Sequence, residues 1–205
     1  MLWTITAALI SFAPDTVIRA DDALDLLITG NSRWVAGCST AHEISPAELA
    51  RAASEPTAPF ATIVTSSDSR LPVEMIFDRP VGDLFVVRVS GPTAEMDRVG
   101  SVEYGALALG TPLLVVMAHA ELAPQRVPND PMQLPGIRLA ERNEIDRVRA
   151  EVYASIASLL RESRELSASV QRGDLTVFGA GYDMASGQVH FFGQHPEQQL
   201  VIAPQ

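Results

Sequence analysis

Two polar segments of the chain hold side chains that could do chemistry. The first is Ser66-Ser67-Asp68-Ser69-Arg70, which places hydroxyl groups, a carboxylate and a guanidinium next to one another. The second contains His119 and Glu121, an imidazole and a carboxylate close together in the chain. Histidine is the side chain that most readily exchanges a proton near neutral pH, so these segments could form an acid–base site or an anion pocket.

The same residues also have a purely structural interpretation. Asp68 and Arg70 could be an ion pair that holds a loop, and His119 could be a hydrogen-bonding residue at the end of a strand. Ion pairs with a purely structural role occur at strand ends, just as ion pairs of active sites do. The residue types alone leave both interpretations open.

Both polar segments follow short apolar runs that are typical of buried parallel strands. Four such runs are β-branched or aromatic and nearly continuous: Phe60–Val64, Leu84–Val89, Leu113–Met117 and Leu175–Phe178. In open α/β sheets, ligands bind beyond the carboxyl ends of the strands. Asp68, Arg70 and His119 would therefore face one crevice if the first and third strands are neighbours.

Helical stretches separate these strands, which predicts an α/β fold with a mostly parallel central sheet flanked by helices. Pro72 opens one helix directly after the first polar segment, and the longest helical stripe spans Glu144–Ser169. Val189–Phe192 follows a turn and predicts an antiparallel hairpin at the edge of the sheet. We expect a single domain over residues 1–205, with an N-terminal helical arm at 1–37 and a proline-rich surface loop at 124–135.

The composition excludes several classes of function. The chain has 205 residues and a formal net charge of −10, which opposes binding to nucleic acid or to an anionic membrane. It contains no lysine, so Schiff-base chemistry on lysine is excluded. Its one cysteine, Cys38, excludes an intrachain disulfide and a cysteine-rich zinc site.

The apolar segment Leu2–Ala13 has two interpretations. It could be part of a helical arm or the core of a signal peptide, but no basic residue precedes it and no small-residue cleavage site follows before Asp21. No segment approaches the roughly 20 apolar residues of a membrane span. We expect a cytoplasmic protein without membrane association.

Several ordered motifs give the chain a resemblance to the β-class carbonic anhydrases. They are Gly30-Asn31-Ser32-Arg33-Trp34, Ser66–Arg70, Gly82–Arg88, Ser101-Val102-Glu103-Tyr104, the segment around His119, and Gly179–Val189. The resemblance implies that family's fold. It also implies a homodimer or a dimer of dimers, with the N-terminal helix lying across the partner.

The departures from the family pattern concern its zinc ligands. The family holds zinc with a histidine and two cysteines, and here the histidine is kept as His119 while the cysteine positions are Ser66 and Leu122. Zinc needs about four ligands, and neither a neutral hydroxyl nor a leucine replaces a thiolate. Asp68 and His119 could supply two ligands, and Glu121 a third only after rearrangement. The resemblance therefore implies that zinc, and CO₂ hydration with it, has been lost and that no cofactor is expected.

The other half of the family site is kept. The resemblance implies that Asp68 and Arg70 form the family's dyad, and Leu122 would make the pocket more apolar and favour a neutral His119 able to act as a base. The predicted catalytic residues are His119, Asp68 and Arg70. The predicted ligand-binding residues are Ser66, Ser67, Ser69, Glu121 and Leu122.

Three functions remain open from the sequence. The first is a pocket repurposed without a metal for binding, or acid–base chemistry on, a small organic ligand, possibly a carboxylate. The second is a non-catalytic assembly subunit. The third is an atypical metal-dependent carbonic anhydrase. The site rather than the fold must decide between them.

Overall fold

Five β-strands form one sheet in the computed structural model, which describes residues 18–40, 45–89, 96–120 and 137–202. The strands are β1 Ala61–Ser66, β2 Leu84–Val89, β3 Leu113–Ala120, β4 Thr176–Asp183 and β5 Val189–Gly193. Their order is β2-β1-β3-β4-β5. The first four are parallel and β5 is antiparallel to β4, which confirms the predicted sheet and hairpin.

Helices cover both faces of this sheet. They are α1 Ala20–Val35, α2 Pro46–Ser54, α3 Val73–Ile76, α4 Met96–Glu103, α5 Ile137–Glu162, α6 Arg164–Arg172 and α7 Gln198–Val201. A π-helical segment, Tyr104–Ala108, continues α4. One apolar layer joins α1 and α3 to the sheet through residues such as Leu27, Ile63 and Ile76. The other joins α5 and α6 to the opposite face through residues such as Val116, Val152 and Leu166.

The prediction of one long helix over Glu144–Ser169 is wrong in one respect, because two helices, α5 and α6, occupy this range. Ser163 has φ −113° and ψ 111°, an extended conformation that ends α5. Its hydroxyl accepts a hydrogen bond from the backbone N–H of Leu166 and so caps α6. The same hydroxyl donates to the carboxylate of Glu103 at 2.6 Å, which ties this corner to α4.

The motif at Gly30–Arg33 joins α1 to the rest of the molecule. Asn31 donates to the carbonyls of Ile76 and Gly187, and its side-chain oxygen accepts from the backbone N–H of Val189 at 2.9 Å. Arg33 forms an ion pair with the buried carboxylate of Asp78. Because Ala23 and Leu27 are fully buried, the described part of the predicted N-terminal arm packs on the chain's own core.

The strand order places a topological switch point between β1 and β3. From β1 the chain moves outward to β2, and from β3 it moves outward in the other direction to β4. In such sheets the loops after the two central strands diverge and leave a crevice at their carboxyl ends. β3 extends to Ala120, beyond its predicted end, because it pairs with β4 as far as Asp183. His119 therefore lies on the strand itself.

Some sequence predictions fall outside the described residues. These are the segment 1–17 of the N-terminal arm, the proline-rich loop at 124–135, and the candidate residues Glu121 and Leu122. Among the helices of the described ranges, none combines the length and the apolar character needed to cross a bilayer.

Candidate functional site

The Asp68 carboxylate is held by Arg70 at the start of the loop that follows β1. The Arg70 guanidinium donates to both carboxylate oxygens, with Nη2 at 2.7 Å from Oδ2 and Nε at 3.1 Å from Oδ1. The backbone N–H of Arg70 also donates to Oδ1 at 2.8 Å. These hydrogen bonds hold the pKa of Asp68 well below its ordinary value. Asp68 is thus a carboxylate throughout the physiological pH range.

Ser66 and Arg88 shape the loop that carries Asp68. The Ser66 hydroxyl accepts a hydrogen bond from the backbone N–H of Asp68 at 3.1 Å. Arg88 on β2 donates to the carbonyls of Ser66, Asp68 and Leu71. The sequence did not reveal this role for Arg88. The signal that could have revealed it is the β1–β2 pairing, which places Arg88 beside Thr65.

His119 reaches the same crevice from β3. Its Nε2 lies 3.8 Å from Oδ2 of Asp68, and its side chain is 23% exposed. That distance is too long for a hydrogen bond. β1 pairs with β3, so Asp68, Arg70 and His119 lie close together. This is the arrangement expected from the sequence if these two strands were neighbours.

A cavity of about 140 Å³ adjoins Ser66 and His119. It is lined by apolar and polar residues of the sheet and of α5: Val64, Thr65, Ser66, Val89, Val116, Met117, Ala118, His119, Glu151, Val152 and Ser155. Within the described part of the chain, the buried hydroxyl oxygen of Thr65 has no hydrogen-bond partner. Thr65, Glu151 and Ser155 were not predicted, since they lie within an apolar run and a helical stripe.

The remaining predicted ligand-binding residues lie elsewhere. Ser67 and Ser69 are exposed, and neither lines the cavity. A larger groove of about 670 Å³, lined by residues such as Gly110, Arg164 and Asp174, contains none of the predicted site residues. Gly110 and Asp174 precede β3 and β4, so this groove lies at the opposite end of the sheet.

Among the described residues, the donors around His119 are fewer than a zinc site uses. Protein zinc sites use three or four Cys, His, Asp or Glu ligands. Here the described residues offer one imidazole, the neutral Ser66 hydroxyl, and the Asp68 carboxylate that Arg70 already engages. Across the described ranges, no three His, Cys, Asp or Glu side chains are grouped so as to hold a metal.

Comparisons with known proteins agree with this fold. A family profile described as carbonic anhydrase matches residues 61–122. Carbonic anhydrase 2 of Mycobacterium tuberculosis is 30% identical over 179 residues, which cover 78% of this chain and 86% of that protein. A carbonic anhydrase of Mycolicibacterium smegmatis is 28% identical over 180 residues, which cover 78% of this chain and 87% of the relative.

Solved structures show the same architecture at lower identity. The β-carbonic anhydrase CafA of Aspergillus fumigatus has a TM-score of 0.54 and 22% identity, and the match covers 88% of this chain and 95% of that one. A tetrameric β-carbonic anhydrase of Sordaria macrospora has a TM-score of 0.51 and 19% identity, with 84% and 98% covered. The fold and the sequence similarity define an α/β protein of carbonic anhydrase type. The chain belongs to the β-class carbonic anhydrase family.

Proposed function

We propose that this family member has lost its zinc site and CO₂ hydration. Its pocket would instead bind a small organic molecule, or carry out acid–base chemistry on one, without a metal. The observation that carries the proposal is the donor set at the β1–β3 switch point. There, Ser66 stands at one of the family's cysteine positions and Asp68 is engaged by Arg70. In the sequence, the family's other cysteine position is Leu122.

Loss of zinc removes the means of hydrating CO₂. Zinc lowers the pKa of its bound water from 15.7 to about 7 and so supplies hydroxide at neutral pH. An imidazole has no comparable effect on water. The remaining groups suit proton transfer to or from an organic ligand, with His119 exchanging the proton beside the ionised Asp68.

The test is to measure zinc in protein purified without chelator, and CO₂ hydration by stopped flow. Carbonic anhydrase 2 of Mycobacterium tuberculosis, purified in the same way, is the control. We expect zinc far below one ion per chain and hydration no faster than the buffer alone. One zinc per chain with a hydration rate like that of the control would instead identify an atypical metal-dependent carbonic anhydrase.

A second proposal concerns assembly. We propose that the chain forms a homodimer or a dimer of dimers through the β2 side of the sheet. β2 is an edge strand of the described sheet, and Tyr104 beside it is 54% exposed although its ring packs on Phe85. Leu107, in the same π-helical segment, is also exposed. The Sordaria macrospora relatives are described as tetrameric, which supports assembly without specifying the interface.

A further inference from the structure

We infer that the 140 Å³ cavity binds a compact apolar molecule that carries one hydrogen-bond acceptor, and that the Ser66 hydroxyl donates to this acceptor. The inference rests on the proposed function, because it concerns the ligand of that same pocket. It adds a size and one polar contact to the organic ligand proposed there. Three features carry it: the face of the sheet on which the cavity lies, the state of the Ser66 hydroxyl, and the size of the space.

The cavity lies between the sheet and α5. Its apolar side chains all belong to the core layer on that face of the sheet: Val64, Val89, Val116, Ala118 and Val152. Ile63 and Met117, which neighbour Val64 and Val116 along the strands, belong to the layer on the opposite face. Alternate side chains of β1 and β3 therefore point toward the cavity.

Ser66 belongs to the face that lines the cavity. Successive side chains of a strand point to opposite faces of the sheet. Ser66 is two residues after Val64 on β1, so its side chain points toward α5 as that of Val64 does. Ser66 is half-buried and is part of the cavity lining. The strand thus places a hydroxyl at the end of a mostly apolar wall.

The Ser66 hydroxyl has a proton to donate. A serine hydroxyl can donate one hydrogen bond and accept two. Its oxygen accepts from the backbone N–H of Asp68 at 3.1 Å, which fixes the position of the oxygen. Among the described residues, no acceptor takes the hydroxyl proton. An acceptor on a ligand in the cavity would complete the hydrogen bonding of this group.

The size of the cavity limits the ligand. An apolar cavity of about 150 Å³ holds one benzene molecule, so a space of 140 Å³ suits a ligand of about six non-hydrogen atoms. The valine side chains favour a branched or cyclic hydrocarbon body. A small cyclic ketone has this size, an apolar body and a single acceptor oxygen.

Cyclopentanone and methylenecyclopentane are matched probes of this inference, because they share a shape and differ in the acceptor oxygen. Binding is followed at neutral pH through the NMR methyl signals of Val64, Val116 and Val152. We expect both probes to shift these signals, with cyclopentanone saturating at millimolar concentration. Cyclooctanone has the same acceptor on a ring too large for the cavity, and it should leave the signals unchanged.

Ser66→Ala tests the role of the hydroxyl. Loss of one hydrogen bond should weaken cyclopentanone binding about fivefold. Binding of methylenecyclopentane should stay close to the wild-type value, because this probe has no acceptor. The second probe is needed because Ser66→Ala also removes the acceptor of the Asp68 N–H, and a distorted cavity would weaken both probes alike. Ser32→Ala is the control, since Ser32 is exposed on α1 and lies outside the cavity lining.

Each outcome decides the inference. It is overturned if cyclopentanone does not bind, if cyclooctanone binds as well, or if Ser66→Ala binds cyclopentanone like the wild type. An equal loss of both probes in Ser66→Ala also overturns it. These failures differ from failure of the proposed function, which the zinc and hydration measurements decide separately. A zinc-free protein without CO₂ hydration that fails to bind cyclopentanone defeats this inference alone.

Discussion

At the residue scale, Asp68 and His119 have different roles in the proposed function because they have different partners. Asp68 accepts hydrogen bonds from the side chain and the backbone of Arg70, so it stays ionised and cannot act as a proton donor at neutral pH. The Nε2 atom of His119 lies 3.8 Å from the Asp68 carboxylate, which is too far for a hydrogen bond. Proton exchange in the proposed function therefore belongs to His119, with Asp68 as its electrostatic support.

Asp68→Asn should make stability less dependent on pH. Because folding lowers the pKa of Asp68, the ionised carboxylate stabilises the native state above its ordinary pKa of about 4, and this contribution is lost as pH falls further. The variant should be less stable than wild type at pH 7, and the gap should narrow below about pH 4.

Urea unfolding at several pH values measures that gap. Asp174→Asn is the matched control, because Asp174 forms an exposed pair with Arg172 and should contribute little. A difference between wild type and Asp68→Asn that stays constant down to pH 3 would contradict the assignment.

Restoring the two thiols should restore metal binding. The double variant Ser66→Cys with Leu122→Cys would join two thiolates to His119, and we expect close to one zinc per chain by elemental analysis. The single variant Ser66→Cys, with one thiolate fewer, is the control and should retain much less. If the double variant binds no more zinc than wild type, the pocket has changed in shape as well as in ligands.

At the scale of elements, the contact between α1 and α3 depends on the absence of a side chain at Gly30. A Cβ at this position would lie 1.8 Å from the carbonyl oxygen of Phe77, which is backbone and cannot move aside. Nearby, burial of Asp78 opposes its ionisation, but hydrogen bonds from Arg33 and Thr40 outweigh that effect and lower the pKa of Asp78. Helix α1 is thus positioned by close packing at Gly30 and by an ion pair at Arg33.

Gly30→Ala should destabilise the protein by about 3 kcal/mol, because α1 must shift away from α3 to relieve the overlap. Chemical denaturation measures the free energy of unfolding. Gly100→Ala is the control, since Gly100 is helical with no atom near a Cβ, and it should stabilise the chain slightly. Equal stability of Gly30→Ala and wild type would show that the close approach is dispensable.

The sequence was informative where a local pattern determines a local structure. Continuous apolar runs predicted β1 to β4, and the turn before Val189 predicted the hairpin. The break at Ser163 was missed because the apolar stripe continues through it, while the cap that begins α6 is a single hydroxyl. The cavity was missed because Thr65 belongs to a buried run and Glu151 to a solvated helix, and only the packed tertiary structure brings them together.

At the scale of the whole molecule, the sheet has two different edges. On β5, Phe191 packs near Phe77 on one face of the sheet and Phe192 packs near Tyr153 on the other. At the other edge, the exposed Tyr104 packs on Phe85 of β2. An edge strand with an exposed aromatic neighbour, as β2 has among the described residues, favours association with another chain.

Tyr104→Asp should weaken the proposed assembly. We expect the wild type to have at least twice the mass of one chain by light scattering, and the variant to shift toward the monomer because a buried charge opposes association. Tyr104→Phe keeps the ring and should assemble like the wild type. A monomeric wild type at micromolar concentration would defeat the proposal.

The hydrogen bonds of Asn31 affect the order of events during synthesis. Asn31 and Val189 are separated by 158 residues, so at about 5–20 residues per second the ribosome completes this contact roughly 8 to 30 seconds after Asn31 is made. A lone 16-residue helix is marginal in water. Asn31 can therefore bond the carbonyl of Ile76 early in synthesis, but its hydrogen bonds to Gly187 and Val189 form only when the last strand of the described sheet has been made.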